Sequence, residues 1–310
     1  MHDFMLYLFS GLTRGSMYAL IALGYTLVYG VLQLINFAHS EVFMSGAFAS
    51  FIVVQALVGD GSGTPGWVVP FVFIAGLVTG GLAGAAVAWG LERVAYRPLR
   101  RRGAPKLAFL ISAIGMSFLL SALAGKLFNR FTNNQFPTYF NKDSVVFTVF
   151  GAEVRLIQAI IIVSALLMML FLDRLVSGTK LGRSIRGVAE DAPTAALMGI
   201  DIDKTISKTF VIGGALGGAA GFLFGTAFVF SNIMGFLPGV KAFAAAVLGG
   251  IGNIRGAMIG GLLLGVIEVL IPTLPFIGTK WTDVVAFVVL VLVLVFRPTG
   301  ILGEKLGRAA

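Results

Sequence analysis

The chain has 310 residues, of which 57% are hydrophobic and 12% charged, with a net charge of +9 and a mean hydropathy of +0.95. A water-soluble fold of this size could not bury so much apolar surface, since soluble domains carry about 25% charged residues, so the sequence predicts an all-α, polytopic membrane protein. The absence of cysteine excludes disulfides and thiolate metal sites, and we expect no metal site from the two histidines, His2 and His39.

Nine apolar stretches approach the length of about 20 residues that a membrane-spanning helix needs, and we expect 8–10 spans. They lie near 5–34, 41–59, 67–91, 107–126, 156–173, 208–230, 240–254, 256–272 and 281–297. The first is too long for one straight crossing, so we expect a break or a tilt near Gly11, Arg14 and Gly15. The 240–254 stretch is short and rich in glycine at its end, which predicts a half-helix or re-entrant segment.

Lysine and arginine predict the orientation of the chain. They concentrate in 92–106, in 173–208 and in the tail that carries Arg297, Lys305 and Arg308. Such regions face the cytoplasm in membrane proteins, which explains the net charge without nucleic-acid binding. We therefore expect the asparagine-rich 127–155 loop and the N-terminus outside, and the C-terminus inside.

Glycine recurs every fourth residue in several spans. The stripes are Gly76, Gly80 and Gly84; Gly213, Gly217, Gly221 and Gly225; Gly256 and Gly260; and Gly261 and Gly265. This spacing places the glycines on one helix face, where another backbone can approach closely. We interpret the stripes as packing surfaces of a compact bundle and not as a substrate site.

Two parts of the chain share an order of features, namely a small-residue helix, a polar break, and a second small-residue segment. These parts are 11–46 and 213–250, with polar breaks at 36–41 and at Ser231 and Asn232. Their leading spans run in opposite directions in the predicted topology, as an inverted repeat requires. We thus expect one transmembrane domain, 1–310, with half-repeats 5–173 and 200–300.

The segment 36–41 is a polar interruption between two apolar runs without charge, and it contains Asn36, His39 and Glu41. A charge at the bilayer centre costs about 2.5–3.5 kcal/mol, so such groups line a pathway or form a buried polar contact. Two interpretations remain open: contact with a substrate, or hydrogen bonding to broken helix ends. His39 and Glu41 are two residues apart and would not share a helix face, which disfavours a membrane enzyme.

The segment 174–207 is longer than a simple connection needs. Residues 192–198 are expected to form a short helix, with Asp191 as N-cap, Pro193 in the first turn and Gly199 as its stop. The small-residue face of this helix suits contact with another protein, although a surface helix that only links two spans is the alternative.

A glycine-rich segment with Gly249, Gly250, Gly252 and Asn253 separates two apolar stretches. It lacks the lysine and hydroxyl that end a phosphate-binding P-loop, and no P-loop pattern occurs elsewhere in the sequence. We interpret the segment as a break between half-helices. ATP hydrolysis, if it drives this protein, must then reside in another chain.

Three separated blocks resemble the branched-chain amino acid ABC transporter permeases of the LivH type. They are 11–30 followed by 35–41, then 183–191 with 198–201, and finally 241–253 with 256–262. The Ala-His-x-Glu form that ends at Glu41 is similar to the LivH half of the permease pair and not to the LivM half. Ser40 stands where the family usually has glycine, which leaves the local turn and the substrate preference open.

The resemblance implies a multi-pass permease subunit in the bacterial inner membrane, importing leucine, isoleucine, valine or related amino acids or amides. It implies four partner subunits: a second, LivM-like permease, two ABC ATPases and a periplasmic binding protein. No cofactor and no nucleic acid are expected, and membrane lipid surrounds the chain. The residues that it implies for coupling to the ATPases are Arg183, Arg186, Glu190, Asp191, Gly199 and Asp201. The alternative is a stand-alone secondary transporter or channel for small polar solutes.

Overall fold

The computed structural model describes residues 2–61, 64–128, 135–139, 141, 144–274, 278–297 and 299–303. Their helices are α1 (His2–Leu32), α2 (His39–Val58), α3 (Val69–Leu91), α4 (Arg97–Arg101), α5 (Lys106–Leu127), α6 (Leu156–Gly178), α7 (Lys180–Glu190), α8 (Ala192–Leu197), α9 (Ile202–Ala227), α10 (Phe236–Gly249), α11 (Ile254–Leu270) and α12 (Thr282–Phe296). A π-helical turn, Glu92–Tyr96, joins α3 to α4, and 3-10 turns occupy Ile271–Thr273 and Thr279–Trp281.

Seven of these helices are long and apolar enough to cross a membrane, namely α1, α2, α3 with its continuation to Arg101, α5, α6, α9 and α11. The helices α10 and α12 are apolar but shorter. Each of the nine predicted spans is therefore a helix, and the short one is α10, as expected. The all-α, polytopic prediction is confirmed. An antiparallel hairpin of β1 (Val145–Val149) and β2 (Ala152–Arg155) was not expected.

The first span contains no break. Helix α1 runs continuously through Gly11, Arg14 and Gly15. These glycines face α11, and a Cβ atom on Gly15 would lie 2.7 Å from the carbonyl oxygen of Leu262. The glycines therefore permit close packing of two helices, and the predicted break is wrong for that reason.

Two helix pairs dominate the core, α1 with α11 and α3 with α9. The glycine stripes are packing surfaces, as expected, but only two of the four lie in these two contacts: Gly76, Gly80 and Gly84 face α9, and Gly261 and Gly265 face α1. Of the other two stripes, one faces α1 and α2 through Gly213, Gly217 and Gly221, and the other faces α10 through Gly256 and Gly260. A Cβ atom on Gly80 would lie 2.8 Å from the carbonyl oxygen of Gly218, for example. Helix α2 packs on α3 and α9, and α10 packs in the corresponding way on α11 and α1. Helices α1 and α9 are mostly buried, whereas less than a third of the residues in the spans of α3, α5 and α6 are buried.

The two basic regions of the sequence lie together at one end of the bundle. Arg100, from the 92–106 region, contacts Asp203 in the first turn of α9 at 2.5 Å. The C-terminal segment reaches the same end, where the Asn253 side chain donates to the carbonyl of Leu302 at 2.8 Å. The hairpin lies near the start of α1, with Phe9 and Phe147 in ring contact at 6.3 Å. Predictions that involve Asn129, Asn133, Asn134, Lys305 and Arg308 fall outside the described residues.

Candidate functional site

The polar interruption is a helix break, as predicted. Helix α1 ends at Leu32 and α2 begins at His39. The Asn36 side-chain oxygen accepts hydrogen bonds from the backbone N–H of Ala38 at 3.1 Å and from the hydroxyl of Tyr96 at 2.8 Å. Asn36 therefore fixes the entry into α2 and attaches it to the π-helical turn after α3.

Ser40 adopts a helical conformation in the first turn of α2, so the serine leaves the helix start intact. Its hydroxyl donates to the carbonyl of Phe37 at 2.8 Å and can also reach Oε1 of Glu41 at 3.3 Å. The side chain packs against Gly239 of α10, where a Cβ atom would collide with it. Gly239 thus supplies the space that the larger residue requires.

His39 is buried in the contact between α1 and α9. Its ring meets Tyr25 edge-on at 5.0 Å. It occupies the space left by two glycines: a Cβ atom on Gly217 would lie 3.2 Å from the histidine Nε2, and one on Gly24 would overlap the ring. These contacts place His39 in the packing of the helices.

Glu41 points in a different direction, towards α5 and α10. It is only 3% exposed, and its Oε1 accepts a hydrogen bond from Ser117 of α5 at 3.1 Å. A Cβ atom on Gly235, the residue before α10, would lie 2.9 Å from Oε2. Glu41 forms no ion pair with any basic residue that the structure describes.

Three polar atoms of this break remain without a hydrogen-bond partner among the described residues. They are Nδ2 of Asn36, Nε2 of His39 and Oε2 of Glu41. A buried polar group without a partner costs about 1–3 kcal/mol, so each such atom requires an explanation. A ligand or water that reaches the break would supply the missing partners.

The neighbours of Glu41 place it near the middle of the bundle. Ser117 lies halfway along α5, which spans Lys106–Leu127, and the short helix α10 starts directly after Gly235. The first turns of α2 and α10 therefore meet beside this carboxylate. Helix N-termini carry a partial positive charge and stabilise anions, so they lower the cost of a buried negative charge here.

A second charged cluster was not predicted. Lys241 of α10 and Glu268 of α11 are 4% and 3% exposed and form an ion pair at 3.0 Å. Asp283 approaches Lys241 at 2.6 Å, and Arg14 approaches Glu268 at 3.3 Å. The sequence contains a signal for this cluster, since Lys241 and Glu268 each stand within an otherwise uncharged apolar stretch.

The residues that the resemblance assigns to coupling lie on α7 and beside the two ends of α8, although only α8 was predicted as a helix. Helix α7 carries Arg183, Arg186 and Glu190 on its exposed side and buries Ile185 and Val188. Arg186 donates to the carbonyls of Val176 and Ser177 at the end of α6.

Helix α8 begins after Asp191 and ends before Gly199, as predicted. The Asp191 side chain accepts from the Thr194 hydroxyl and caps no backbone N–H, which corrects the expected capping contact. Gly199 has φ +83°, a conformation that favours glycine. Asp201 caps α9 instead: the backbone N–H of Lys204 donates to it at 2.9 Å, which lowers the pKa of the Asp201 carboxyl.

A buried carboxylate attaches the start of α9 to the turn after α3. Glu92 is fully buried and accepts from Arg100 at 3.1 Å and from the Ser207 hydroxyl at 2.7 Å. Arg97 and Arg100 also contact Asp203, at 3.3 and 2.5 Å. The sequence did not indicate this network, because these residues appeared as parts of two separate basic loops.

The glycine-rich segment is a helix break, as predicted. Helix α10 ends at Gly249, and Gly250 and Gly252 have φ values of +109° and +93°. Asn253 then caps α11, with its side-chain oxygen accepting from the Gly256 N–H at 3.0 Å. The segment reverses the chain between two helices.

Broken helices with buried polar groups at membrane depth are typical of membrane transport proteins, and this is the class that the fold defines. Over residues 7–294 the chain matches the family described as the permease component of branched-chain amino acid transport systems, and it belongs to that family.

Named relatives cover nearly the whole chain. It is 45% identical over 304 residues to the high-affinity branched-chain amino acid transport system permease protein LivH of Escherichia coli K12, covering 97% of this chain and 96% of the relative. It is 45% identical over 300 residues to the corresponding protein BraD of Pseudomonas aeruginosa, covering 96% and 95%. A probable LivM permease of Methanocaldococcus jannaschii is 32% identical over 164 residues, 47% of this chain and 46% of the relative.

Proposed function

We propose that this chain is one of two membrane-spanning subunits of an ATP-driven importer for branched-chain amino acids in the bacterial inner membrane. The match to the permease family over residues 7–294 carries the proposal. Since the sequence contains no nucleotide-binding motif, two separate ATPase subunits must supply the energy. A LivM-like permease and a periplasmic binding protein complete the complex, and no cofactor is required.

The proposed domain is one unit of two inverted half-repeats, 5–173 and 200–300. The contacts between helices support the repeat, because each half packs one of its helices against the other half in the same way. If α1, α2 and α3 correspond to α9, α10 and α11, the pair α1 with α11 corresponds to the pair α9 with α3. The contacts of α2 with α3 and α9 likewise correspond to those of α10 with α11 and α1. The basic end of the bundle is cytoplasmic in this arrangement, which places the C-terminus inside.

Glu41 is the group proposed to meet the substrate. A branched-chain amino acid carries an ammonium group, and the carboxylate of Glu41 has an oxygen without a described partner and no described cation beside it. The amide Nδ2 of Asn36 is free to donate to the substrate carboxylate. His39 is given a packing role, because it fills the space between two glycines.

The apolar side chain of the substrate needs an apolar wall. Tyr25, which contacts His39, also lines a small cavity with Phe243 and Ile251. The cavity holds only about 10 Å³, which is too small for leucine. If the substrate passes here, the helices around the cavity must separate.

Helices α7 and α8 are proposed to dock on an ATPase subunit. The tip of this segment exposes two large apolar side chains, Leu197 at 88% and Met198 at 80%. Glu190 and Asp191 stand at the preceding bend and offer charge to a partner. Helix α9 follows α8 directly and its start contacts the network of Glu92, so a displacement of α8 would be transmitted through α9 towards the break near Glu41.

Uptake by the reconstituted complex tests the substrate and the energy source together. The chain is placed in proteoliposomes with its second permease, two ATPases and binding protein, and labelled leucine uptake is measured. We expect uptake to require ATP and to be competed by isoleucine and valine but not by urea or an amide. Uptake that is driven by an ion gradient without the ATPases would support a secondary transporter and contradict the proposal.

Substitution of the exposed tip tests the docking role. We expect Leu197→Ser with Met198→Ser to reduce co-purification of the ATPase and to abolish ATP-dependent uptake while the chain remains folded. The matched control is Val94→Ser, which removes an apolar side chain of 70% exposure elsewhere at this end. Equal co-purification of the ATPase by both variants would contradict the docking role.

A further inference from the structure

A groove opens on the side of the bundle at its basic end. It measures about 460 Å³ and lies between the end of α3, the turn after it, and the start of α9. Four of its lining residues are cations, Arg93, Arg97, Lys204 and Lys208, and no carboxylate lines it. The groove therefore has a positive potential that favours an anion.

Two of these cations have no acidic partner among the residues described. Arg97 contacts Asp203 at 3.3 Å, and Lys204 contacts Asp201 at 3.2 Å. Arg93 and Lys208, by contrast, form no ion pair within the described part of the chain. Arg93 instead lies over the ring of Trp89 at 5.3 Å. The groove thus has two uncompensated positive charges as well as two that local carboxylates balance.

One wall of the groove continues into an apolar surface. Trp89 is 47% exposed, and it stands at the end of a stripe of exposed apolar side chains along α3, with Ile74, Val78 and Leu82. Ile74, Val78 and Leu82 recur every four positions and Trp89 follows seven residues after Leu82, so all of them share one helix face. A tryptophan between an apolar stripe and basic residues is typical of the boundary between the acyl chains and the headgroups of a bilayer.

We propose that this groove binds the headgroup of an anionic phospholipid, with the phosphate between Arg93 and Lys208 and an acyl chain along the exposed stripe of α3. Guanidinium and ammonium groups both suit a phosphate, and basic pockets between membrane helices bind anionic headgroups in this way. The apolar stripe favours a lipid over a free phosphate, because a free phosphate has no apolar part that could contact that surface. The bound lipid would bridge α3 and α9 beside the network of Glu92. This site is separate from the proposed pathway.

Lipid titration of the purified full-length transport complex tests the site, with binding followed by native mass spectrometry. The ligands are dioleoyl phosphatidylglycerol, the zwitterionic dioleoyl phosphatidylcholine, and inorganic phosphate as a competitor. We expect phosphatidylglycerol to bind in preference to phosphatidylcholine. Arg93→Gln with Lys208→Gln should weaken the binding of phosphatidylglycerol about 25-fold, roughly fivefold for each charge removed.

A matched control separates this site from general attraction of the basic end. Arg102→Gln with Lys106→Gln removes two exposed charges from the same end of the bundle but outside the groove, and should leave binding unchanged. The charge-conserving pair Arg93→Lys with Lys208→Arg should retain it, and thermal unfolding checks that each variant is folded.

Two results would overturn the proposal. The first is equal binding of phosphatidylglycerol by the groove variant and the wild type; if that variant also no longer retains the ATPase, the groove is a docking surface for that subunit. The second is displacement of the lipid by millimolar inorganic phosphate, which would make a free phosphate the ligand.

Discussion

Glu268 and Glu41 are both buried carboxylates between membrane helices, and their surroundings are opposite. Glu268 has Lys241 at 3.0 Å and Arg14 at 3.3 Å, whereas the hydrogen bonds that Glu41 accepts within the described residues come from the hydroxyls of Ser40 and Ser117. A buried charge is costly unless it is paired. The ion pairs of Glu268 indicate a structural role for that carboxylate. Because no described cation lies beside Glu41, its carboxylate is available to a cationic substrate.

The comparison predicts the largest loss of stability at the paired site. Replacing Lys241 by methionine leaves the buried carboxylate of Glu268 with only the half-exposed Arg14, so we expect Lys241→Met to destabilise the chain by about 3–5 kcal/mol. Thermal unfolding and gel filtration in detergent measure this loss. The double variant Lys241→Met with Glu268→Gln should lose less, because the charges that lose a partner, Arg14 and Asp283, are half-exposed and no buried charge remains uncompensated. A double variant that loses more than the single one would contradict the assigned pairing.

His39 provides the next largest effect, again on stability. Its ring fills the space beside Gly24 and Gly217, so His39→Ala should leave a cavity and cost about 2–4 kcal/mol. Uptake per folded molecule should remain within about twofold of the wild type. Normal stability with strongly reduced uptake would instead assign His39 to the pathway.

Glu41→Gln should reduce uptake and leave stability almost unchanged, which is the reverse of the result expected for His39→Ala. The glutamine retains the contact with Ser117 but cannot pair with an ammonium group. The loss of one charge-assisted hydrogen bond is worth about 1.5–3 kcal/mol, so uptake should fall roughly 10- to 100-fold while stability changes by less than about 1 kcal/mol. Leucine uptake by the assembled complex is the measurement. The control is Glu153→Gln, the same exchange on the exposed hairpin, which should transport normally.

The smallest effect is expected at the edge of the break. Tyr96→Phe removes the hydroxyl that donates to Asn36 at 2.8 Å and should cost about 1 kcal/mol of stability. Uptake should change little, since the Asn36 oxygen keeps its bond from Ala38. A tenfold loss of uptake in a stable Tyr96→Phe variant would show that this contact does more than hold the break.

Local features of the sequence predicted much of the fold. The length of the apolar stretches predicted the nine helices that correspond to the expected spans, and the glycines predicted the break at 249–253. Asp191, Pro193 and Gly199 predicted where α8 begins and ends. The polar break at 36–41 was also found, because polar groups interrupt two apolar runs.

The long-range pairs were not predicted. Lys241 and Glu268 are 27 residues apart in sequence, and Arg100 and Asp203 are 103 apart. Composition gives no register between helices, so nothing in the sequence distinguished the paired Glu268 from the unpaired Glu41. The different surroundings of His39 and Glu41 could not be predicted either. The structure shows that glycines surround His39 and that serine hydroxyls contact Glu41.

Cysteine labelling can show whether Glu41 lies beside the pathway, because the natural chain contains no cysteine. Ser117→Cys places a thiol next to Glu41, and Ser50→Cys makes the same exchange in the buried contact between α2 and α3. Both are treated with a small hydrophilic thiol reagent in the working complex. We expect the thiol at position 117 to be modified during turnover and protected by leucine, while the thiol at position 50 stays unmodified. Modification of position 117 that leucine does not slow, or no modification at all, would contradict this placement of Glu41.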